Sequence, residues 1–292
     1  MATEMVARPR IHAYRPEQAT AIIGAEGGRE GSQDLWAFPI DTGLLGFKLS
    51  VAKYRLGDDF FSPRHHHNFD QVRYCLSGTA NYGKWDLRAG DCAYYPEAVF
   101  YGPQQQKGKG PCELLAMQFT GPCRGYYTDG QEVREAYQAL IAKGGVFEHG
   151  VYKGRTPEGK PDNKDAAEAV FEQITGRPME YPDPHYLDAV VMRPPAFSWR
   201  PVANVPGLYR KVLGRFTEYE TTIALERLAG GASWEPRTEV PELRYVLQGS
   251  VLLDGEQYPA GSCFYLPGGL SPVWSSDEGA EMFTVNFPLF AA

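Results

Sequence analysis

The chain of 292 residues lacks an excess of basic charge: 29 Lys and Arg stand against 36 Asp and Glu, for a formal net charge of −7. It also has no basic run, which argues against nucleic-acid binding as the main activity. Long apolar runs are missing as well. No segment is long and apolar enough to span a bilayer, and the first ten residues hold no apolar stretch of signal-peptide length. These absences lead us to expect a soluble, cytoplasmic protein with no membrane or nucleic-acid partner. Cysteine is scarce and odd in number, five in all. Without a secretion signal this fits reduced thiols better than a disulfide framework. No C-x2-C pair occurs, so a structural zinc site is not expected.

What is plentiful is glycine (32), proline (23) and tyrosine (18), a composition that favours short strands and many turns over a helical bundle. The length suffices for two modest domains with real cores. Residues 1–33 carry little pattern and read as an N-terminal arm with a Gly-rich loop from Gly24 to Gly31. Residues 34–120 hold short apolar and aromatic runs broken by Gly, Pro and Asp, closing with a strand over Leu114 to Phe119; this is the pattern of an antiparallel barrel. Residues 121–204 differ. Glu132 to Lys143 places Val133, Ala136, Tyr137, Leu140 and Ile141 at helical spacing, with Asp129 as a cap and Gly144-Gly145 as a stop. A second helix is expected from Asp165 to Thr175, ended by Gly176-Arg177-Pro178. Polar, Pro-rich segments between and after these helices read as ordered connector. Residues 205–292 return to the strand pattern.

The return is a repeat with a fixed offset of 171: Gln71 and Glu242 (242 − 71), Gly78 and Gly249 (249 − 78), Gly90 and Gly261 (261 − 90), Cys92 and Cys263 (263 − 92), Pro96 and Pro267 (267 − 96). A duplicated β-barrel unit accounts for it.

The chemistry-bearing stretch begins at His65-His66-His67. On an extended strand His65 and His67 share one face while His66 points away. Beyond the bend at Asn68 to Asp70, Gln71, Arg73 and Cys75 share a face. In a second stretch, from Gly90 onward, Tyr101 comes five residues after Pro96. Imidazole favours first-row metals, so metal binding is one reading of the His pair. The other is a pair of histidines that only form hydrogen bonds.

Together these two stretches resemble the paired motifs of the cupin superfamily, G-x5-H-x-H-x3,4-E-x6-G and G-x5-P-x-G-x2-H-x3-N. His65, His67 and Gly78 fit the first, with Gln71 at the usual glutamate. Gly90 and Pro96 fit the second, with Ala98 for a glycine, Tyr101 for the third histidine and Gln105 near the asparagine. With the duplication, the resemblance is to two-domain cupins, or bicupins. It implies an all-β fold of two cupin barrels (double-stranded β-helix, jelly-roll-like) joined by a helical insert. It also implies one divalent transition metal per chain in the N-terminal barrel, Fe(II) first, then manganese, nickel or zinc, on His65, His67, Gln71 and Tyr101.

The C-terminal copy keeps Glu242 but has no histidine before it, and position 272 is proline where 101 is tyrosine. We expect that barrel to be degenerate and metal-free, with Glu242 paired to Arg244 or Arg237. Arg73 is expected to face the cavity, either to receive a substrate anion or, since Arg244 recurs in the other copy, in a structural ion pair. Tyr101 is read as a ligand or as a proton donor. By the same resemblance the first functional expectation is a metal-dependent enzyme acting on a small organic, anionic molecule, with dioxygenase chemistry, and thus an oxidoreductase, placed first. A metal-assisted isomerase, lyase or decarboxylase comes second, and a non-catalytic small-molecule-binding or storage bicupin third. A homodimer is left open.

Overall fold

In the computed structural model the described residues are 10–22, 29–43, 47–120, 130–216, 220–236 and 239–287. The expected Asp129 cap, the loop residues Gly24, Gly27 and Gly28, and Arg237 lie outside them. The chain divides into two units. The first comprises Thr20–Ala37 and Leu44–Met192; the second comprises Met1–Ala19, Phe38–Gly43 and Arg193–Ala292.

In the first unit the runs between turn residues form two facing sets of strands. One sheet is ordered Val190–Met192, Cys92–Tyr95, Asp70–Ser77, Cys112–Phe119, Leu49–Leu56, Gln33–Phe38 and Thr20–Ile22; the other is Phe61–Ser62, Gln104–Gln106, Thr79–Asn81 and Asp86–Arg88. The central pairings are antiparallel, with Ala116 opposite both Arg73 and Ala52. Period-two alternation sends Leu56, Cys75, Ala93, Tyr95 and Leu114 into a shared core. The second unit repeats the scheme with Cys263–Leu266, Glu242–Leu253, Gly279–Asn286, Thr221–Ala229 and Leu208–Phe216 side by side. Its core is built on Trp234, Val246, Phe264, Trp274 and Met282. The all-β, two-barrel arrangement is therefore present.

The repeated glycines have a steric cause. Gly78 and Gly249 sit at φ 71° and 72°, and an added Cβ would lie 2.8 Å from Pro111 O in the first case and 2.1 Å from Gly279 O in the second. Only glycine takes that conformation at that distance. The next turn along each copy is duplicated bond for bond: Cys75 N donates to Asp91 O and Gly90 N to Cys75 O, as Val246 N does to Ser262 O and Gly261 N to Val246 O.

Two helices occur in the insert, α1 (Gly130–Ala142) and α2 (Ala166–Thr175). Asp165 caps α2 through Ala167 N, and Gly176 ends it in the left-handed conformation. Ala136, Leu140, Ala169 and Val170 bury their shared stripe with Tyr152. The connector between the helices differs from expectation: Val146–Glu148, Val151–Arg155 and Pro161–Asp165 form a three-stranded antiparallel sheet. Tyr152 is its one buried residue, so no run of alternating apolar residues marks it. The arm differs too. His12–Tyr14 pairs antiparallel with Cys263–Leu266 of the second unit, whereas Thr20–Ile22 pairs with Gln33–Phe38. No described helix is long and apolar enough to cross a membrane.

Candidate functional site

The first barrel holds a cavity of about 220 Å³. Arg73, Gln118, Gln104, His65 and His67 line its polar end, and Phe60, Leu114, Val170, Phe171 and Met179 are among the apolar residues around it. The insert thus supplies part of the wall through α2.

His65 is held by a two-residue bridge: His65 N donates to Tyr101 O at 3.0 Å and Tyr101 N to His65 O at 2.9 Å. The expected strand is thus an isolated bridge with no ladder around it, though the alternation of faces holds. His65 and His67 line the cavity, while His66 is sandwiched between the rings of Phe100 and Tyr181 at 3.9 and 3.8 Å. Ala98, in the motif's glycine position, takes φ 63° and donates its N–H to His67 O at 2.7 Å. A left-handed alanine is strained, and its two-element tether fixes the turn that carries Tyr101.

Burial, and next the positive charge of Arg29, hold both His65 and His67 well below the ordinary histidine pKa, so both imidazoles are neutral at pH 7. His65 Nδ1 lies 2.7 Å from Pro63 O. Only a protonated nitrogen can face a carbonyl, so Nε2 keeps its lone pair for the cavity. His67 stacks on Phe69 at 4.5 Å, which fixes its plane. The two imidazole centroids are 4.9 Å apart with planes at 81°.

Gln71, Arg73 and Tyr101 form one network. Arg73 Nη2 donates to Gln71 Oε1 at 3.0 Å and to Tyr101 Oη at 3.1 Å. Its Nη1 donates to Gln104 Oε1 at 2.7 Å and to Tyr82 Oη at 3.0 Å. Gln118 Nε2 donates to Gln71 Oε1, and Gln71 Nε2 to Tyr101 Oη, each at 3.0 Å. The rings of Tyr95 and Tyr101, each 5.1 Å from the guanidinium carbon, add cation–π contacts.

The family's resident metal can be tested against this donor set. His65 and His67 fit: two imidazoles bound at right angles to one ion, with metal–nitrogen distances of about 2.0–2.1 Å, have centroids ~4.5–5 Å apart. The bond from His65 to a backbone carbonyl is the usual orienting contact of a ligand. Gln71 and Tyr101 stand beside this pair, but the Gln71 oxygen already accepts two bonds and the Tyr101 oxygen accepts two more. Among the described residues no group of three or more His, Cys, Asp or Glu side chains is placed to hold a metal ion. His65 and His67 are therefore the side chains that would hold such an ion, while the oxygens of Gln71 and Tyr101 are engaged by N–H donors.

Gln104, Gln118 and Arg29 were not singled out from sequence. Alternation along Leu114 to Phe119 could have put Gln118 on the cavity face; Arg29, on the arm, had no local signal.

In the second barrel Arg244 is 1% exposed. It pairs with Glu242 through Nε and with Glu226 through Nη1, the latter at 2.6 Å, and Asn286 Nδ2 donates to Glu242 Oε2 at 2.8 Å. Glu242 is thus paired to Arg244, as the sequence suggested.

No protein-family profile matches the chain, and no curated protein matches it. Solved structures do. A presumed dioxygenase of Nostoc punctiforme is 13% identical with a TM-score of 0.67, covering 99% of this chain and 87% of its own. Streptomyces albus HEPD, solved with 2-hydroxyethylphosphonate and Fe(II), is 14% identical with a TM-score of 0.60, covering 98% and 78%. A mutant of Bacillus subtilis oxalate decarboxylase is 16% identical with a TM-score of 0.58, covering 99% and 80%. The fold is the cupin fold. It has two such barrels in one chain.

Proposed function

We propose that this chain is a metal-dependent cupin enzyme whose N-terminal barrel acts on a small organic anion. The observation that carries the reading is the convergence of two neutral imidazoles and a buried arginine on one cavity, with the Tyr101 phenol hydrogen-bonded to that arginine behind its wall. His65 and His67 would hold a divalent metal, which when bound supplies Lewis acidity or a centre for O2; we place dioxygenase chemistry first and isomerase or lyase chemistry second. The chain's own residues do the rest. Arg73 orients an anionic group, Tyr101, whose oxygen accepts two N–H bonds, is the proton donor, and Phe60, Val170 and Phe171 wall the cavity. HEPD, solved with Fe(II) and a phosphonate, and oxalate decarboxylase, named for a small dicarboxylate, support a cupin barrel of this kind.

The test is metal analysis of purified protein after loading with Fe(II), Mn(II) or Zn(II), paired with O2 uptake over a panel of small acids. We expect close to one metal per chain, lost in His65→Ala and kept in His66→Ala. Loss in His66→Ala with retention in His65→Ala would defeat the assignment. Substrate-dependent O2 loss selects the dioxygenase, and bound metal without O2 use selects the isomerase or lyase. One observation favours a second reading, a barrel that binds but does not transform its ligand: the oxygens of Gln71 and Tyr101 are already engaged by N–H donors. Protein that takes up no metal under any loading condition would select it.

A further inference from the structure

The two barrels carry the same arginine in opposite electrostatic settings. Arg73 lies opposite Ala116, which lies opposite Ala52; Arg244 lies opposite Thr284, which lies opposite Ala224. Two residues along each strand, on the same faces, Gln71 therefore corresponds to Glu242, Gln118 to Asn286 and Tyr54 to Glu226. The hydrogen-bond plan is kept: Asn286 donates to Glu242, and Gln118 donates to Gln71. The charges are not kept. Both carboxylates that neutralise Arg244 are replaced in the first barrel, one by an amide and one by a phenol.

Arg73 is 8% exposed and lines the cavity. Four of its five N–H groups rest on neutral oxygens, and among the described residues no carboxylate reaches it. The fifth donor, Nε, is buried and without a partner, as is Gln118 Oε1. The amide orientations follow from the arginine. Because Arg73 can only donate, the oxygen of Gln71 must face it, so Gln118 must present its NH2 to that oxygen, which leaves its own oxygen buried and unpartnered. A buried cation without a counter-ion is costly, and here the missing charge is the one a ligand can bring.

We infer that the N-terminal barrel binds a small monocarboxylate with an apolar body. Its carboxylate meets the Arg73 guanidinium where that side chain lines the cavity, and its apolar part lies against Phe60, Leu114, Val170 and Phe171. The cavity, about 220 Å³, suits a single ring or short chain. Gln118 Oε1 would take a hydroxyl or N–H donor next to the carboxylate. This inference rests on the reading of the first barrel as a small-molecule site, but not on its metal.

The experiment is calorimetric titration of chelator-treated, full-length protein with benzoate, benzamide and oxalate, with metal content measured separately. Benzoate is expected to bind about 10- to 100-fold more tightly than the neutral benzamide, the range for a hydrogen bond to a charged group, and more tightly than oxalate, which has no apolar body. Gln71→Glu restores the counter-ion of the other barrel within an unchanged side-chain outline. It should raise the melting temperature and lower benzoate affinity about 10- to 100-fold. Equal binding of benzoate and benzamide, tighter binding of oxalate, or a folded Gln71→Glu protein with unchanged benzoate affinity would overturn the inference. Wild-type protein that takes no metal yet binds benzoate would refute the metal reading alone, and protein that holds metal but prefers no carboxylate would refute this inference alone.

Discussion

Replacing Glu226 by Gln should destabilise the second unit severely although it removes no heavy atom. Its side chain is 2% exposed, with Oε1 accepting from Arg210 and Oε2 from Arg244. An amide has one oxygen, so in Glu226→Gln its NH2 must confront one of two guanidinium groups that can only donate. Arg244 cannot discharge itself. Burial disfavours its charge, but Glu226 and then Glu242 outweigh burial and raise its pKa above the ordinary value. Breaking one partner of such a pair costs about 3–5 kcal/mol, against a total stability of roughly 5–15 kcal/mol. With an m-value of about 2 kcal/mol/M in urea, the midpoint should fall by ~2 M at unchanged slope. Tryptophan fluorescence is the assay, since Trp234 and Trp274 lie 4.3 and 5.2 Å from the Arg244 guanidinium carbon. A further change of Arg244 to Met should recover part of the loss, because the stranded charge is gone. A midpoint shift below ~0.3 M for Glu226→Gln would refute the argument, since a buried arginine between two carboxylates cannot lose one so cheaply.

Tyr101→Phe deletes the acceptor of an Arg73 and a Gln71 bond, so it should cost about 1–3 kcal/mol and reduce turnover at least tenfold while metal content stays the same; wild-type turnover in a stable variant would make Tyr101 a packing residue. Asp70 is pushed up to about 7 by burial. The folded state therefore keeps a proton that the unfolded chain releases near pH 4, and stability should fall as pH rises from about 4 to 7, by up to ~4 kcal/mol for three pKa units. Thermal melts of Asp70→Asn should lose that slope, and an unchanged slope would assign it to another group. Gly249→Ala should lower the melting temperature sharply, through the left-handed φ of 72° and a Cβ placed 2.1 Å from Gly279 O; a melt like that of the wild type would mean the turn relaxes freely.

The features legible in the sequence were those set by local geometry. Gly78 and Gly249 announce themselves because no other residue fits their turns, and the His65/His67 pair because extended backbone alternates its faces. The helices were legible in their apolar stripes, and α2 also in its stop at Gly176. What escaped depended on pairing between distant segments. Three residues, His12 to Tyr14, join the second barrel through backbone bonds that leave no side-chain pattern, and the sheet between α1 and α2 is too exposed to alternate. The second partner of Arg244 escaped for a different reason. Glu226 corresponds to Tyr54 at an offset of 172 (226 − 54), one more than the motif offset of 171 (242 − 71). A loop absorbs one residue between strands without cost to either ladder, so a comparison at fixed spacing passes over the substitution that separates the two barrels.

That substitution bears on the neutral residue at the motif's glutamate position. In the second barrel a carboxylate two residues before the arginine on the same strand is captured by it, and the cavity there, about 920 Å³, has its central charges joined to one another. A glutamate at position 71 would meet the same fate, because Arg73 Nη2 already lies 3.0 Å from the Gln71 oxygen. Glutamine keeps the hydrogen bonds that hold the guanidinium still and withholds the charge that would satisfy it. The rings of Tyr82, Tyr95 and Tyr101, 5.7, 5.1 and 5.1 Å from the guanidinium carbon, offset part of the burial cost without neutralising the cation. One arginine therefore serves as a buried brace where both carboxylates are present, and its counterpart is left charged toward a cavity where both are gone.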